Sequence, residues 1–175
     1  MTVLLLLDVD GPLNPWAART PPPGYTRHEW RLTRRDSRHS WRLTRRDTRH
    51  ALLNPAHGPA LLALANRTGA ELVWATSWED LANRTIGPAL GLPPLRVIGL
   101  RAYEGTPDWK YGAVGRFAAG RPLAWFDDDF SLFASARDRF LHRRRETTAL
   151  ISVDPATGIT DTHLAAAEQA LTYPR

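Results

Sequence analysis

Val3-Leu4-Leu5-Leu6-Leu7-Asp8-Val9-Asp10-Gly11-Pro12 decides how the rest of the chain is read. Consecutive apolar residues without polar alternation describe a strand buried on both faces, as in the centre of a parallel sheet. The run stops at two carboxylates one residue apart, and Gly11-Pro12 ends the extended segment. In an open α/β sheet, chemistry lies beyond the carboxyl ends of the strands, which is where Asp8 and Asp10 fall. Two like charges this close repel unless a cation or a proton separates them, which favours a divalent metal at the strand end. For this stretch alone, a strand that merely ends in a polar turn is the plain alternative.

The 175 residues suit a single domain, 1–175, with a sizeable core and room for one insertion. Cysteine is absent, which excludes disulfides and thiolate chemistry. The opening apolar run is too short for a signal peptide or a membrane span, so a cytoplasmic protein without membrane association is expected. All but one of the 23 basic residues are arginine, the exception being Lys110. With abundant Ala, Leu and Pro, this bias reads as pressure from a GC-rich genome, so arginine number alone means little. Its distribution says more. Between Arg27 and His50, nine arginines face three acids, and the rest of the chain is close to neutral.

That basic window belongs to an insertion, 14–54, after the first strand. Prolines 12, 15, 21, 22 and 23 with Gly24 exclude regular structure through Tyr25. Then eleven residues, Trp30 to Ser40, are repeated as Trp41 to Ala51 with nine identities. A helix would stack Trp30 over Trp41, but apolar residues at the first and third positions of each copy suit a strand. The favoured expectation is a β-hairpin, 30–34 paired with 41–45, forming a surface flap. A disordered segment is the competing expectation.

From Pro55 onward the pattern is regular. Helices are expected at 59–67, at 79–90 with a break near Gly87-Pro88, at 110–119, 130–144 and 162–171. Strands are expected at 71–75, 95–100, 122–126 and 147–153. This alternation predicts an α/β domain with about five parallel strands flanked by helices. Three strands end in polar clusters: Asp8/Asp10, Thr76/Ser77 and Asp127/Asp128/Asp129. The single lysine, Lys110, opens a helix between the second and third of these.

In this combination the chain resembles the haloacid dehalogenase-like (HAD) superfamily of aspartate-nucleophile phosphohydrolases. The resemblance rests on Leu7-Asp8-Val9-Asp10-Gly11, on Val73-Trp74-Ala75-Thr76, on Lys110 and on Trp125-Phe126-Asp127-Asp128, in order across about residues 3–130. More narrowly, it is similar to small HAD proteins of high-GC bacteria that are related to the HAD modules of RNA-repair proteins. The resemblance implies a HAD-like Rossmannoid fold with a minimal cap after strand 1. It also implies Mg²⁺-dependent hydrolysis of a phosphorylated substrate.

The residue roles it implies are chemically coherent. Asp8 would attack phosphorus. Asp10 would protonate the leaving oxygen and then deprotonate water. Thr76, in preference to Ser77, and Lys110 would neutralise phosphoryl charge. Asp8, the backbone carbonyl of Asp10, Asp127 and Asp128 would hold Mg²⁺. Ser77, Trp78, Arg34 and Arg45 are candidate substrate contacts, and Trp16 and Trp109 could also line the pocket. Trp74 and Trp125 belong to the core. Asp129 is expected to cap the following helix, and His57, His142 and His163 to be structural or solvated. The duplication reads either as slippage of GC-rich DNA, tolerated on a solvated surface flap, or as a basic, tryptophan-bearing flap that suits a nucleic-acid strand, with arginine on phosphate and tryptophan on a base. Phosphoryl transfer to another acceptor and a non-catalytic nucleic-acid- or protein-binding module are the alternatives.

Overall fold

The computed structural model describes residues 2–31, 48–100, 106 and 109–173. Its strands are β1 (Val3–Leu7), β2 (Thr26–Arg31), β3 (Thr48–Leu53), β4 (Ala70–Trp74), β5 (Arg96–Val97), β6 (Leu123–Asp127) and β7 (Thr148–Ser152). Its helices are α1 (His57–Thr68), α2 (Asp80–Arg84), α3 (Ile86–Leu90), α4 (Trp109–Ala118), α5 (Ala134–Arg143) and α6 (Asp161–Thr172).

β1 is the middle strand of a parallel sheet ordered β5-β4-β1-β6-β7. Leu4, Leu5, Leu6 and Leu7 are all fully buried, because alternate side chains enter different cores. Leu5 and Leu7 pack with Leu61, Ile86 and Leu171 of α1, α3 and α6. Leu4 and Leu6 pack with Val114 and Phe140 of α4 and α5. A strand covered on both faces must be apolar throughout, and each buried leucine contributes about 2 kcal/mol. This sandwich of helices around five parallel strands is the expected α/β architecture.

β2 and β3 form a separate antiparallel pair in which Trp30 faces Arg49 and Arg31 faces Thr48. The register corrects the expected pairing of 30–34 with 41–45. Ala51 and Leu53 are buried in the main core, and this burial sets the pairing where the repeat itself offers several choices. Residues 32–47 lie outside the described residues.

Three boundaries also moved. β5 is only Arg96–Val97, bounded by Pro93-Pro94 before it and Gly99 after it. The expected helix at 79–90 breaks at Thr85, whereas Pro88 is accommodated in the first turn of α3, where the missing N–H costs no bond. α5 starts at Ala134 after a turn, with Phe133 at the N-cap, so Asp129 is not its cap. Instead the Asp129 carbonyl accepts the Leu132 N–H at 3.0 Å and closes that turn.

Candidate active site

The strand register brings the acidic ends together. Leu7 lies beside Phe126, so the next residues along, Asp8 and Asp127, are neighbours at the carboxyl edge of the sheet. The Asp8 N–H donates to the Phe126 carbonyl at 3.1 Å and the Ala75 N–H to the Leu7 carbonyl at 2.8 Å, which locks the three strand ends side by side. Asp8, Thr76, Lys110 and Asp127 are all buried. Lys110 enters from the first turn of α4 and donates to Asp8 Oδ2 and, at 2.7 Å, to Asp127 Oδ2. Thr76 Oγ1 accepts the Trp78 N–H at 3.3 Å, which leaves its own hydroxyl hydrogen to donate.

The electrostatics follow from this burial. Loss of solvent pulls the Lys110 ammonium down, but Asp8 and then Asp127 raise it well above the ordinary lysine range, so it stays charged. Burial, with repulsion from Asp8, pushes the Asp127 carboxyl up to about 7 against the pull of Lys110. Burial also raises Asp128, despite the Trp16 indole N–H that donates to its Oδ2 at 3.0 Å.

Carboxylate oxygens of Asp8, Asp127 and Asp128 lie within 4.8 Å of one another. Three carboxylates against one ammonium leave a formal charge of two minus in a largely dry pocket. A divalent cation with a preference for oxygen balances that charge, so these residues fit Mg²⁺. Gly11 keeps the cluster tight: its φ is +86°, and a Cβ there would lie 2.4 Å from Asp128 Cγ. No side chain fits.

Asp10 is held apart from this cluster. Its Oδ1 accepts the Asn14 side-chain N–H at 2.7 Å and its Oδ2 accepts the Trp78 indole N–H at 2.8 Å. Asn14 Oδ1 in turn accepts the Leu52 N–H of β3 at 2.9 Å, tying the insertion to the loop after β1. Asn14 carries no signal in the sequence beyond standing four residues after Asp10. Its role appears only when the loop folds back on itself, with the Leu13 and Asn14 N–H groups both donating to the Val9 carbonyl.

The remaining candidates separate. Trp78 is 4% exposed, so it is a wall and a tether rather than an open pocket surface. Ser77 is exposed while Thr76 beside it is buried. Trp16 is exposed but tethered to Asp128. Trp74 and Trp125 are core residues. His163 Nδ1 accepts the Thr160 N–H at the start of α6, and His57 is packed edge-on against Tyr25. Arg34, Arg45 and the Trp109 side chain lie outside the described residues.

Among the described residues, no helix is long and apolar enough to cross a membrane. No curated protein and no solved structure is significantly similar to the chain. A family model does match, over residues 4–164, and it describes the HAD domain in Swiss Army Knife RNA repair proteins. The match takes in every strand of the main sheet and all four polar motifs, and it supports phosphohydrolase chemistry of the HAD type in general. With that coverage, the chain belongs to the HAD-like superfamily, in the family of HAD domains found in RNA repair proteins.

Proposed function

We propose that this protein is a Mg²⁺-dependent phosphomonoester hydrolase that works through an aspartyl-phosphate on Asp8, with a phosphate-ended nucleic acid as its substrate class. The observation that carries the chemistry is the buried Lys110 ammonium shared between Asp8 and Asp127 at the edge of the sheet. An ammonium here offsets phosphoryl charge as it arrives.

An oxygen of Asp8 bonds to phosphorus while the bond from phosphorus to the leaving oxygen breaks. Asp10 gives a proton to that oxygen. It then takes a proton from water, which attacks phosphorus and releases Asp8. The Thr76 hydroxyl donates to a phosphoryl oxygen during both displacements. Asp8, Asp127 and Asp128, with the Asp10 carbonyl, would hold Mg²⁺, which supplies positive charge to the transferring group. The nucleic-acid assignment draws on the family description, on the arginine-rich sequence from Arg27 to His50, and on Arg49, which lies over the Trp78 ring at 5.1 Å. In the same reading the insertion serves as a minimal cap.

The test is a hydrolysis screen over sugar phosphates, nucleotides and phosphate-ended oligonucleotides, with Mg²⁺ or with EDTA. Turnover is expected only with the metal, and with the highest kcat/KM on oligonucleotide ends. Failure of every ester in Mg²⁺, or equal rates in EDTA, contradicts the proposal.

A further inference from the structure

Away from the site, α4 and α5 enclose a groove of about 500 Å³. Its rim carries Arg116 of α4, Arg139 and Arg143 of α5, and Arg144 and Arg145 just beyond. The one acid in the lining, Glu146, sits 3.8 Å from Arg144. Arg144 is committed to the fold: its Nε donates to Thr148 Oγ1 at 2.8 Å and its Nη2 to the Arg121 carbonyl. Arg116, Arg139, Arg143 and Arg145 also line the groove. A compositional arginine bias accounts for their number but not for their gathering on one groove, since the chain outside the insertion is near neutral. Arg139 and Arg143 stand one helical turn apart, a spacing at which like charges repel and a shared anion is favoured.

We infer that the α4–α5 groove binds the sugar–phosphate backbone of a single-stranded nucleic acid. A compact phosphate would engage one or two of these arginines, whereas a chain of phosphates engages the row. The groove runs along α4 from Tyr111 toward its end at Ala118, about 10 Å of helix, and reaches Gly120 beyond it. Its wall includes Gly112 and Gly115, where the helix has no side chains, and the buried Phe140 ring. Guanidiniums above an apolar floor match phosphate and sugar respectively. In this assignment a strand whose end lies at Asp8, beside Lys110 in the first turn of α4, continues along that helix. The inference therefore deepens the nucleic-acid reading of the substrate and rests on it only for that last step.

The experiment uses a short single-stranded RNA with hydroxyl groups at both ends, so that the catalytic pocket has nothing to hold. Binding is followed by fluorescence anisotropy across a salt series, for the wild type and for Arg139→Glu/Arg143→Glu/Arg145→Glu. The variant is expected to lose about tenfold or more in affinity. The slope of log affinity against log salt should become shallower by about two, as three phosphate contacts disappear. It should stay folded, and its hydrolysis of a small phosphate ester should match the wild type. If the triple variant does not fold, Arg143→Glu alone should still show about a threefold loss. Unchanged RNA affinity and salt slope in a folded variant overturn the inference. Inorganic polyphosphate bound as tightly as RNA, and lost with it, overturns the nucleic-acid assignment. Because this probe lacks a terminal phosphate, failure here is distinct from failure of the hydrolase, which the ester screen reports.

Discussion

Trp78 donates its indole N–H to Asp10 Oδ2 across 2.8 Å, so the loop after β4 holds the acid that follows β1. The same indole is touched from the insertion on two sides. The Trp30 ring meets it edge-on with centroids 6.3 Å apart, and the Arg49 guanidinium lies 5.1 Å from its centroid. With Asn14 on the other oxygen, Asp10 is fixed by two donors, and the insertion presses on one of them. The insertion and the proposed proton-transfer group are therefore mechanically joined through one ring.

Trp78→Phe preserves most of the packing and removes only the N–H. A hydrogen bond to a charged group contributes about 1.5–3 kcal/mol, so a fall in kcat of about tenfold or more is expected. The loss should be greater on esters with poor leaving groups, where protonation limits the rate, with little change in KM. Steady-state rates on one good and one poor leaving group measure this. An equal loss on both would mean that Trp78 supports the fold but does not position Asp10.

Lys110→Met leaves two buried carboxylates facing one another without their cation. Removing one partner of a buried ion pair costs about 3–5 kcal/mol, and urea unfolding in EDTA should show a loss of that size. Lys110→Arg should not restore activity, because a planar guanidinium does not fit the space of a compact ammonium. Wild-type stability in Lys110→Met would show that the ion pair adds nothing to the fold.

Much of this site was legible in the chain because β1 is a single uninterrupted apolar run. Burial on both faces makes it central, and a central strand has neighbours whose ends must meet its own. That reasoning marks the polar clusters Asp8/Asp10, Thr76/Ser77 and Asp127/Asp128/Asp129 at three strand ends; the family resemblance chose Asp8, Thr76 and Asp127 among them, and Lys110 stood out in a chain that otherwise uses arginine. The hairpin register was not legible, because two copies of one sequence offer several pairings. The choice is made by Ala51 and Leu53 entering a core that the repeat does not encode. Nor was the start of α5, where Asp129 has the chemistry of a cap but spends its carbonyl on a turn. Trp78 was read as a substrate contact, and its hydrogen bond to Asp10 depends on a loop closure that no periodicity reports.

The raised Asp127 carboxyl sets a pH dependence. The folded protein holds this proton more tightly than the unfolded chain, so the group favours folding at low pH. That contribution is lost as pH climbs from the usual carboxylate range near 4 to about 7. Lys110, raised as well, stabilises the fold evenly across this window. Metal-free protein should therefore melt progressively lower over that interval as far as this group is concerned. Mg²⁺ requires the ionised carboxylate, so its stabilising shift should be larger at about pH 8 than at about pH 5. Melting curves with EDTA and with Mg²⁺ at both values test this, and an equal shift at both contradicts it.

Gly11→Ala combines a left-handed backbone with a Cβ directed at Asp128. The strain costs about 1–3 kcal/mol, and displacement of Asp128 should raise the Mg²⁺ concentration needed for half-maximal rate. Chemical denaturation and a Mg²⁺ titration read the two effects separately. A variant with unchanged stability and unchanged metal requirement would mean that Asp128 yields freely.

The most direct test of the mechanism is to trap the phosphoryl group on the protein. The enzyme is mixed with an excess of radiolabelled phosphate ester and Mg²⁺, quenched in acid during turnover, digested and mapped. The expected result is a label, released by hydroxylamine as an acyl phosphate is, on the peptide that carries Asp8, and none with Asp8→Asn. Steady turnover with no protein-bound label, together with near wild-type rates in Asp8→Asn, would contradict the covalent role of Asp8.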